Sequence, residues 1–436
     1  MAAIRRPIRI ARVVTRFGVG GVERHISALT ANLNHEKFQS WLICGRTEKN
    51  ERECLEFARD TGVEPVFIES LRRSLGIWDI SASFKLHQVL KQIRPQIVET
   101  HQSKAGALGR SMARLNFASN AQRPLLIHTF HCHQFNGYFK SPVARAFVLI
   151  ERLLARLTDM IITVTPTIRR EIVDEYQIAD ASRVRVVPLG FDFSWLKDIC
   201  HERGWLRTRL GVNGSTVVFG AVGRLAPIKN TELLLRSFAR MMRERRVDAR
   251  LIVVGDGEMR NRLESLAHDL SINDKVLFAG WVLDRAKIYC DLDVTCLSSH
   301  SEGSPLCLIE SIAAGVPVIS TNVGGVADVA SSTLDGELIE PANEEAYAAA
   351  LARAAESRRR IPAQRSAAFR DYYSIRRLIS DMEGIYSELL DGKAMQRRKD
   401  PLLVKSHWRS IRGTIRKPSP PMSPVRRLDL KGPARR

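Results

Sequence analysis

Glu302 and Glu310, with seven residues between them, bracket the run Ser304-Pro305-Leu306-Cys307-Leu308-Ile309-Glu310-Ser311-Ile312-Ala313-Ala314-Gly315. The run predicts a short helix. Ser304 suits the N-cap and Pro305 the first helical position. Gly315 suits the position just past the end, and Pro317 forbids continuation. A helix N-terminus presents unpaired N–H groups that can hold a diphosphate, and carboxylates can grip sugar hydroxyls. Glu310 falls among Leu306, Ile309 and Ile312, where burial is costly unless something binds it. The plainer alternatives are that Glu310 points to solvent and that Glu302 is an ordinary loop glutamate.

Positive charge lies elsewhere in the chain. Gly223-Arg224-Leu225, followed by Lys229-Asn230, puts an arginine and a lysine five apart across a loop at a helix start. Such a pair can clamp two phosphates, or can be a common basic loop. Gly18-Val19-Gly20-Gly21-Val22-Glu23-Arg24-His25 opens another helix. Its glycines let backbone N–H groups approach an anion, or make a tight turn and nothing more. It is not a dinucleotide fingerprint, because Glu23 stands where a third Gly or Ala is required. His128-Thr129-Phe130-His131-Cys132-His133 invites a zinc reading. In a strand, however, positions 131 and 133 share a face that 128 opposes, and no carboxylate or cysteine completes a site. No metal is expected. His131 is better placed as a sugar or phosphate contact at a strand end, with a structural histidine as the alternative.

These loops need elements to hold them. Apolar runs of strand length fall at 8–15, 41–44, 65–68, 97–100, 125–130, 160–164 and 184–189, and again at 216–222, 250–255, 275–279, 292–297, 317–320 and 336–339. Helical patterns such as 232–242, 259–269 and 345–357 lie between them. Alternating strands and helices imply right-handed βαβ units around a parallel sheet. Two series imply an α/β chain of two doubly wound domains, 1–195 and 196–374, then a helix at 375–391 and a tail at 392–436. Ligands of such sheets bind at the carboxyl ends of the strands, so the cleft between the domains is the expected site.

The net charge of +20 is uneven: from Asp391 onward 14 Lys/Arg face three acids, a balance of +11. Within that tail Val404, Trp408, Ile411 and Ile415 recur at helical spacing beside Lys405, Arg409, Arg412 and Arg416. An apolar stripe beside a basic one suits an anionic membrane surface, here through residues 401–417. A disordered basic tail or a helix docked on the body would share this pattern. No run of 18 apolar residues occurs, and the cysteines at 44, 54, 132, 200, 290, 296 and 307 show no metal-type spacing. That fits reduced thiols in a cytoplasmic protein.

Together, over roughly residues 8–390, these motifs resemble a family-4 glycosyltransferase of the retaining GT-B type. Four landmarks stand in order: the glycine turn at 18–21, the Gly223-Arg224-Leu225…Lys229-Asn230 pair, Gly255-Asp256-Gly257 after a strand, and Glu302…Glu310. The resemblance implies that Arg224 and Lys229 bind the diphosphate of a nucleotide-sugar donor and that Glu310 holds its ribose. Glu302 would contact the donor sugar, beside backbone N–H groups of Gly303, Ser304 and Leu306 with Pro305 between. Gly223 would shape the loop, Gly20 and Gly21 would approach the diphosphate, His131 would face the sugar, and main chain near Trp281 and Val282 would meet the base. Two positions depart from the pattern: Cys132 replaces the family's Gly, and Thr165 its usual Ser. The implied reaction moves a hexose or N-acetylhexosamine to a glycan or lipid-linked acceptor, from the cytoplasmic side of a membrane, with retention and without a metal or other cofactor. A GT-B nucleotide-sugar epimerase and a non-enzymatic nucleic-acid-binding protein are the competing readings. The first shares the architecture; the second rests on charge alone, so no nucleic-acid partner is expected.

Overall fold

The computed structural model describes residues 6–18, 20–47, 61–117, 123–132, 141–330 and 336–399. The amphipathic stretch 401–417 lies outside them, as do Val19 and His133. The chain divides into two compact units, Met1–Ser387 and Glu388–Arg436. The first contains two wholly parallel sheets.

The first sheet comprises β1 (Ile8–Val14), β2 (Phe38–Cys44), β3 (Val66–Phe67), β4 (Ile97–His101), β5 (Leu125–Phe130), β6 (Met160–Thr163) and β7 (Val184–Val186), in the order 3-2-1-4-5-6-7. The second comprises β8 (Val217–Val222), β9 (Ala249–Val254), β10 (Val276–Gly280), β11 (Val294–Leu297), β12 (Val318–Thr321) and β13 (Gly336–Ile339), in the order 10-9-8-11-12-13. Both orders reverse once, beside β1 and β8, and each reversal opens a crevice at the carboxyl ends of the strands. This is the GT-B arrangement of two Rossmann-like domains. The central strands β5, β6 and β11 are mostly apolar and buried on both faces, as parallel strands covered by helices must be.

All thirteen apolar runs became strands, with shifts at their ends. β7 stops at Val186 because Pro188 cannot donate to a ladder. The helix expected over 375–391 runs Ile375–Lys399. Residues 391–399 are mostly good helix formers, and a single Gly392 costs only about 1 kcal/mol. Among the described residues no helix is long and apolar enough to cross a membrane.

The two sheets share one apolar cluster. Phe130, Ile161 and Ile168 from the first pack with Leu308, Ile309, Ile312 and Val326 from the second. Two connecting segments run side by side: Phe191 N–H donates to Tyr373 O, and Ile375 N–H to Phe191 O. A Cβ at Gly190 would lie 2.4 Å from Leu378 Cβ, so the last helix leaves the second sheet against the first connection.

That helix then anchors under β1. Arg12 and Glu99 are a fully buried ion pair, Nε to Oε2 at 3.0 Å. Tyr386 closes it, donating to Glu99 Oε2 at 2.7 Å and accepting from Arg12 Nη2 at 3.0 Å. Burial alone would lower the Arg12 pKa, but Tyr386 and Glu99 outweigh it and raise it. Tyr386→Phe should destabilise the protein by about 2 kcal/mol, since hydrogen bonds to charged groups are worth roughly 1.5–3. Denaturant melts should show this, while the exposed Ser387→Ala stays within about 0.5 kcal/mol of the parent.

Candidate active site

The two sheet reversals face each other. On one side stands the turn from β1 into the helix Gly21–Asn32, on the other the loop from β11 into the helix Leu306–Ala313. A Cβ at Gly21 would sit 3.3 Å from Leu306 Cβ. A Cβ at Gly20 would sit 2.5 Å from Glu23 Oε2, so the acidic side chain fills that space. Between the walls lies a cavity of about 380 Å³ that Gly20, Gly21, Gly223, Arg224, Lys229 and Val282 help to line. His131, Glu302, Gly303, Ser304, Pro305, Leu306 and Glu310 line it as well, so the residues expected from sequence to meet the donor surround one cavity.

The helix begins one residue later than expected. Pro305 is extended (φ −72°, ψ 110°) and serves as the N-cap without a side-chain bond. Ser304 is therefore not the cap, and its buried Oγ has no hydrogen-bond partner. The N–H groups of Leu306 and Cys307 open the helix and have no carbonyl within it to meet.

Lys229 ends the short turn Pro227–Lys229 after β8. Ser298 Oγ, at the end of β11, donates to the carbonyls of Lys229 and Asn230 at 3.2 and 2.9 Å. Lys229 Nζ meets Glu302 Oε1 at 2.5 Å, and Ser299 Oγ donates to the same oxygen at 2.6 Å. Glu302 is thus an engaged carboxylate. Behind it, a Cβ at Gly324 (φ +51°) would lie 2.0 Å from the Glu302 carbonyl oxygen, which excludes other residues on both counts.

Glu310 does not point to solvent. It is 4% exposed, with Arg24 Nη1 at 3.2 Å and Arg285 Nη1 at 3.7 Å from Oε1, and Tyr289 donating to Oε2 at 3.2 Å. Arg24 belongs to the first sheet's leading helix, so this ion pair crosses the cleft. Burial lowers the Arg285 pKa, with Glu310 opposing the shift, and burial then Glu310 push Tyr289 well above the ordinary phenol value.

The first sheet contributes a wall of histidines. His101, at the end of β4, has Nε2 3.6 Å from Glu99 Oε1 and Nδ1 3.0 Å from His131 Nε2. His25 packs edge-on against His131 at 5.5 Å. His128 points away, its Nδ1 2.9 Å from Thr100 Oγ1. Among the described residues no group of three His, Cys, Asp or Glu is arranged to hold a metal ion. The carboxylate lies beyond hydrogen-bond length of His101 Nε2, which has no other partner, but it favours a proton there, leaving Nδ1 to accept from His131 Nε2–H. His131 Nδ1, buried without a partner, is then a bare acceptor at the cavity wall.

Sequence reasoning missed Arg24, Arg285 and His101. Arg24 stood inside the glycine motif, but its role needs Glu310 from the other sheet. It also missed Gln102, a non-glycine at φ +65° whose Oε1 accepts from Thr15 N–H at 3.2 Å and whose Nε2 donates to Glu23 at 3.3 Å. Strain of that kind leaves no mark in sequence.

Burial lowers His25, His101, His128 and His131 well below the ordinary imidazole value, and neighbouring cationic groups add to the effect. Such histidines bind protons in the unfolded chain near pH ~6.5 but not in the fold, so stability falls as pH drops through that region. The melting temperature should decline from about pH 7.5 to about 5.5, and a flat profile would contradict neutral burial. Long-range ¹H–¹⁵N spectra of the ligand-free protein should place the His131 proton on Nε2. A proton on Nδ1 would reverse the assignment.

The family model described as Glycosyltransferase Family 4 matches residues 19–195, and that described as Glycosyl transferases group 1 matches residues 205–371. The UDP-Gal:alpha-D-GlcNAc-diphosphoundecaprenol alpha-1,3-galactosyltransferase of Escherichia coli is 29% identical over 362 residues, 82% of this chain and 90% of that one. A D-inositol 3-phosphate glycosyltransferase of Acidothermus cellulolyticus is 31% identical over 274 residues, 59% of each chain. Anabaena HepE, solved with UDP and glucose, superposes with a TM-score of 0.70 at 16% identity, over 87% of this chain and 99% of that one. That last likeness concerns the fold.

Proposed function

The chain belongs to the family 4 glycosyltransferases, and from that premise we propose that it moves a hexose or N-acetylhexosamine, with retention, from a nucleoside-diphosphate sugar to a lipid-linked glycan acceptor. The observation that carries this is the pairing of two sheet reversals across one cavity, with cations and an open helix N-terminus on one wall and glycines on the other. A space of about 380 Å³ suits one small ligand.

Arg224, Lys229 and the N–H groups of Leu306 and Cys307 would take the charge that develops on the departing diphosphate. Gly20, Gly21 and Gly223 leave room for it. Those groups can do the work assigned to a divalent cation elsewhere, so the reaction is proposed to need none. Glu302, held by Lys229 and Ser299, would meet the sugar from the loop of Gly303, Ser304 and Pro305, and His131 Nδ1 would accept from a sugar hydroxyl on the opposite wall. Glu310 would hold the ribose with lone pairs that Arg24 and Tyr289 leave open. Main chain at Val282 would meet the base. Glu302 and Glu310 are each paired with a cation, which favours attack by the acceptor hydroxyl on the face the diphosphate leaves, with a donor phosphate oxygen taking the proton. The lipid-linked acceptor is drawn from the Escherichia coli relative, whose name specifies a diphosphoundecaprenol-linked sugar. Such an acceptor would place the enzyme peripherally on the cytoplasmic face of a membrane.

A panel of UDP- and GDP-sugars should identify the donor by a rise in melting temperature, because a ligand that binds only the folded state stabilises it. Lys229→Ala should then lower kcat by about 10²–10³ with donor still bound, the usual cost of losing one charge-stabilising group. Transfer should survive a chelator, and the product should keep the anomeric configuration of the donor. Free epimerised nucleotide sugar formed without acceptor would replace this reading with the epimerase.

A further inference from the structure

Eleven large apolar side chains stand exposed among the described residues, and nine of them lie between Leu75 and Leu153. Scattered exposed leucines need no explanation, but clustering of this kind does. Leu75, Ile77, Ile80 and Phe84 occupy the start of the helix Trp78–Ile93 and the loop before it, each at least 62% exposed. Val143, Leu149, Ile150 and Leu153 stand exposed on the helix Ser141–Leu157. Ile77, Ile80 and Phe84 recur at i, i+3 and i+7; Val143, Ile150 and Leu153 continue one stripe at i, i+7 and i+10. These are second apolar faces. The core-facing sides are already filled by Leu86 and Val89 on one helix and by Leu154 and Ala155 on the other.

The two stripes share a side of the molecule. The helices Trp78–Ile93, Ser103–Asn116 and Ser141–Leu157 connect β3 to β4, β4 to β5 and β5 to β6, all stepping the same way across the sheet. Right-handed crossovers therefore put all three on one face, with the middle helix packed against both neighbours.

The polar residues of this face say what covers it. Arg72 and Arg73 are exposed in the loop, with Arg72 over the Trp78 ring at 5.5 Å. Arg145 and Arg156 are exposed on the Ser141–Leu157 helix, as is Arg152, whose guanidinium also donates to Tyr176 O. The acids on these two helices are otherwise engaged: Asp79 pairs with Lys104, and Glu151 is buried against Arg110. Apolar side chains flanked by arginines, with a tryptophan among them, fit the headgroup boundary of an anionic bilayer.

We propose that this helical face of the first domain docks on an anionic lipid bilayer, independently of the 401–417 stretch. The helices start at the carboxyl edge of the sheet, the edge that bears the cavity, so docking would bring the cleft mouth to the lipid surface. That consequence rests on the proposed lipid-linked acceptor; the docking itself does not.

The test is flotation of the full chain with phosphatidylcholine vesicles, with and without phosphatidylglycerol. Wild type should float with the anionic vesicles. The double variants Ile77→Asp/Ile80→Asp and Leu149→Asp/Ile150→Asp should each weaken binding at least about tenfold at an unchanged melting temperature. Arg72→Glu/Arg73→Glu should abolish the preference for phosphatidylglycerol. Unchanged vesicle affinity in the aspartate variants would overturn the proposal and hand any binding to the tail. Absence of vesicle binding, with a concentration-dependent dimer that the same variants dissolve, would make a second copy the occupant. A protein that floats but gains no stability from any nucleotide sugar would keep this inference and lose the proposed function.

Discussion

At position 303 there is no room for a side chain: a Cβ would lie 1.6 Å from the carbonyl oxygen of His131, on the other sheet. Gly325 supports the loop from behind, where a Cβ would lie 1.9 Å from the Gly303 carbonyl. Backbone thus lies on backbone three layers deep, and the carboxylate of Glu302 is delivered to the cavity by main chain that touches both domains. Everything else about the site follows from that approach. Lys229 can reach Glu302 because the loop is pinned, and Leu306 can face Gly21 because the loop turns there.

Charge is distributed to match. The second sheet's side of the cavity carries Arg224, Lys229 and Arg285 with the carboxylates Asp256, Glu302 and Glu310, while the first sheet's side offers the neutral imidazole of His131 with Arg16, Arg24 and Glu23. The Arg24–Glu310 pair links opposite charges across the cleft. Burial keeps Cys307, at the helix start, protonated, its thiol pushed up to about 12. More of the charge thus lies on the second domain's side, while both domains shape the space.

Most of the architecture was legible because parallel strands buried on both faces are mostly apolar, and thirteen such runs stand out from polar loops. Reversal of strand order follows from the βαβ rule once the strands are counted. The loops after β1, β8 and β11 were legible for the same reason: glycines and charged residues just past a buried strand have little structural work to do there. What could not be read was pairing across the cleft. Arg24 and Glu310 are 286 positions apart, and no local pattern joins them. His101 stood just past the apolar run 97–100 without a sign of its own, and its bond to His131 exists only because β4 and β5 are neighbours in register. The exposed stripes at 77–84 and 143–153 were invisible for the opposite reason, since an apolar residue in an amphipathic helix is taken for core until the other face is seen to be filled.

The buried triad of Arg12, Glu99 and Tyr386 has a consequence for how the chain is made. All seven strands of the first sheet leave the ribosome by residue 186, but the phenol that closes the Arg12–Glu99 pair comes 374 positions after Arg12. During that interval the nascent first domain holds an ion pair with one side unsealed, which is costly once the surroundings are dry. Its final form therefore waits for the end of translation. The last helix couples the maturation of the first domain to completion of the second, so a chain cut short before Tyr386 is marked as unfinished at its very first strand.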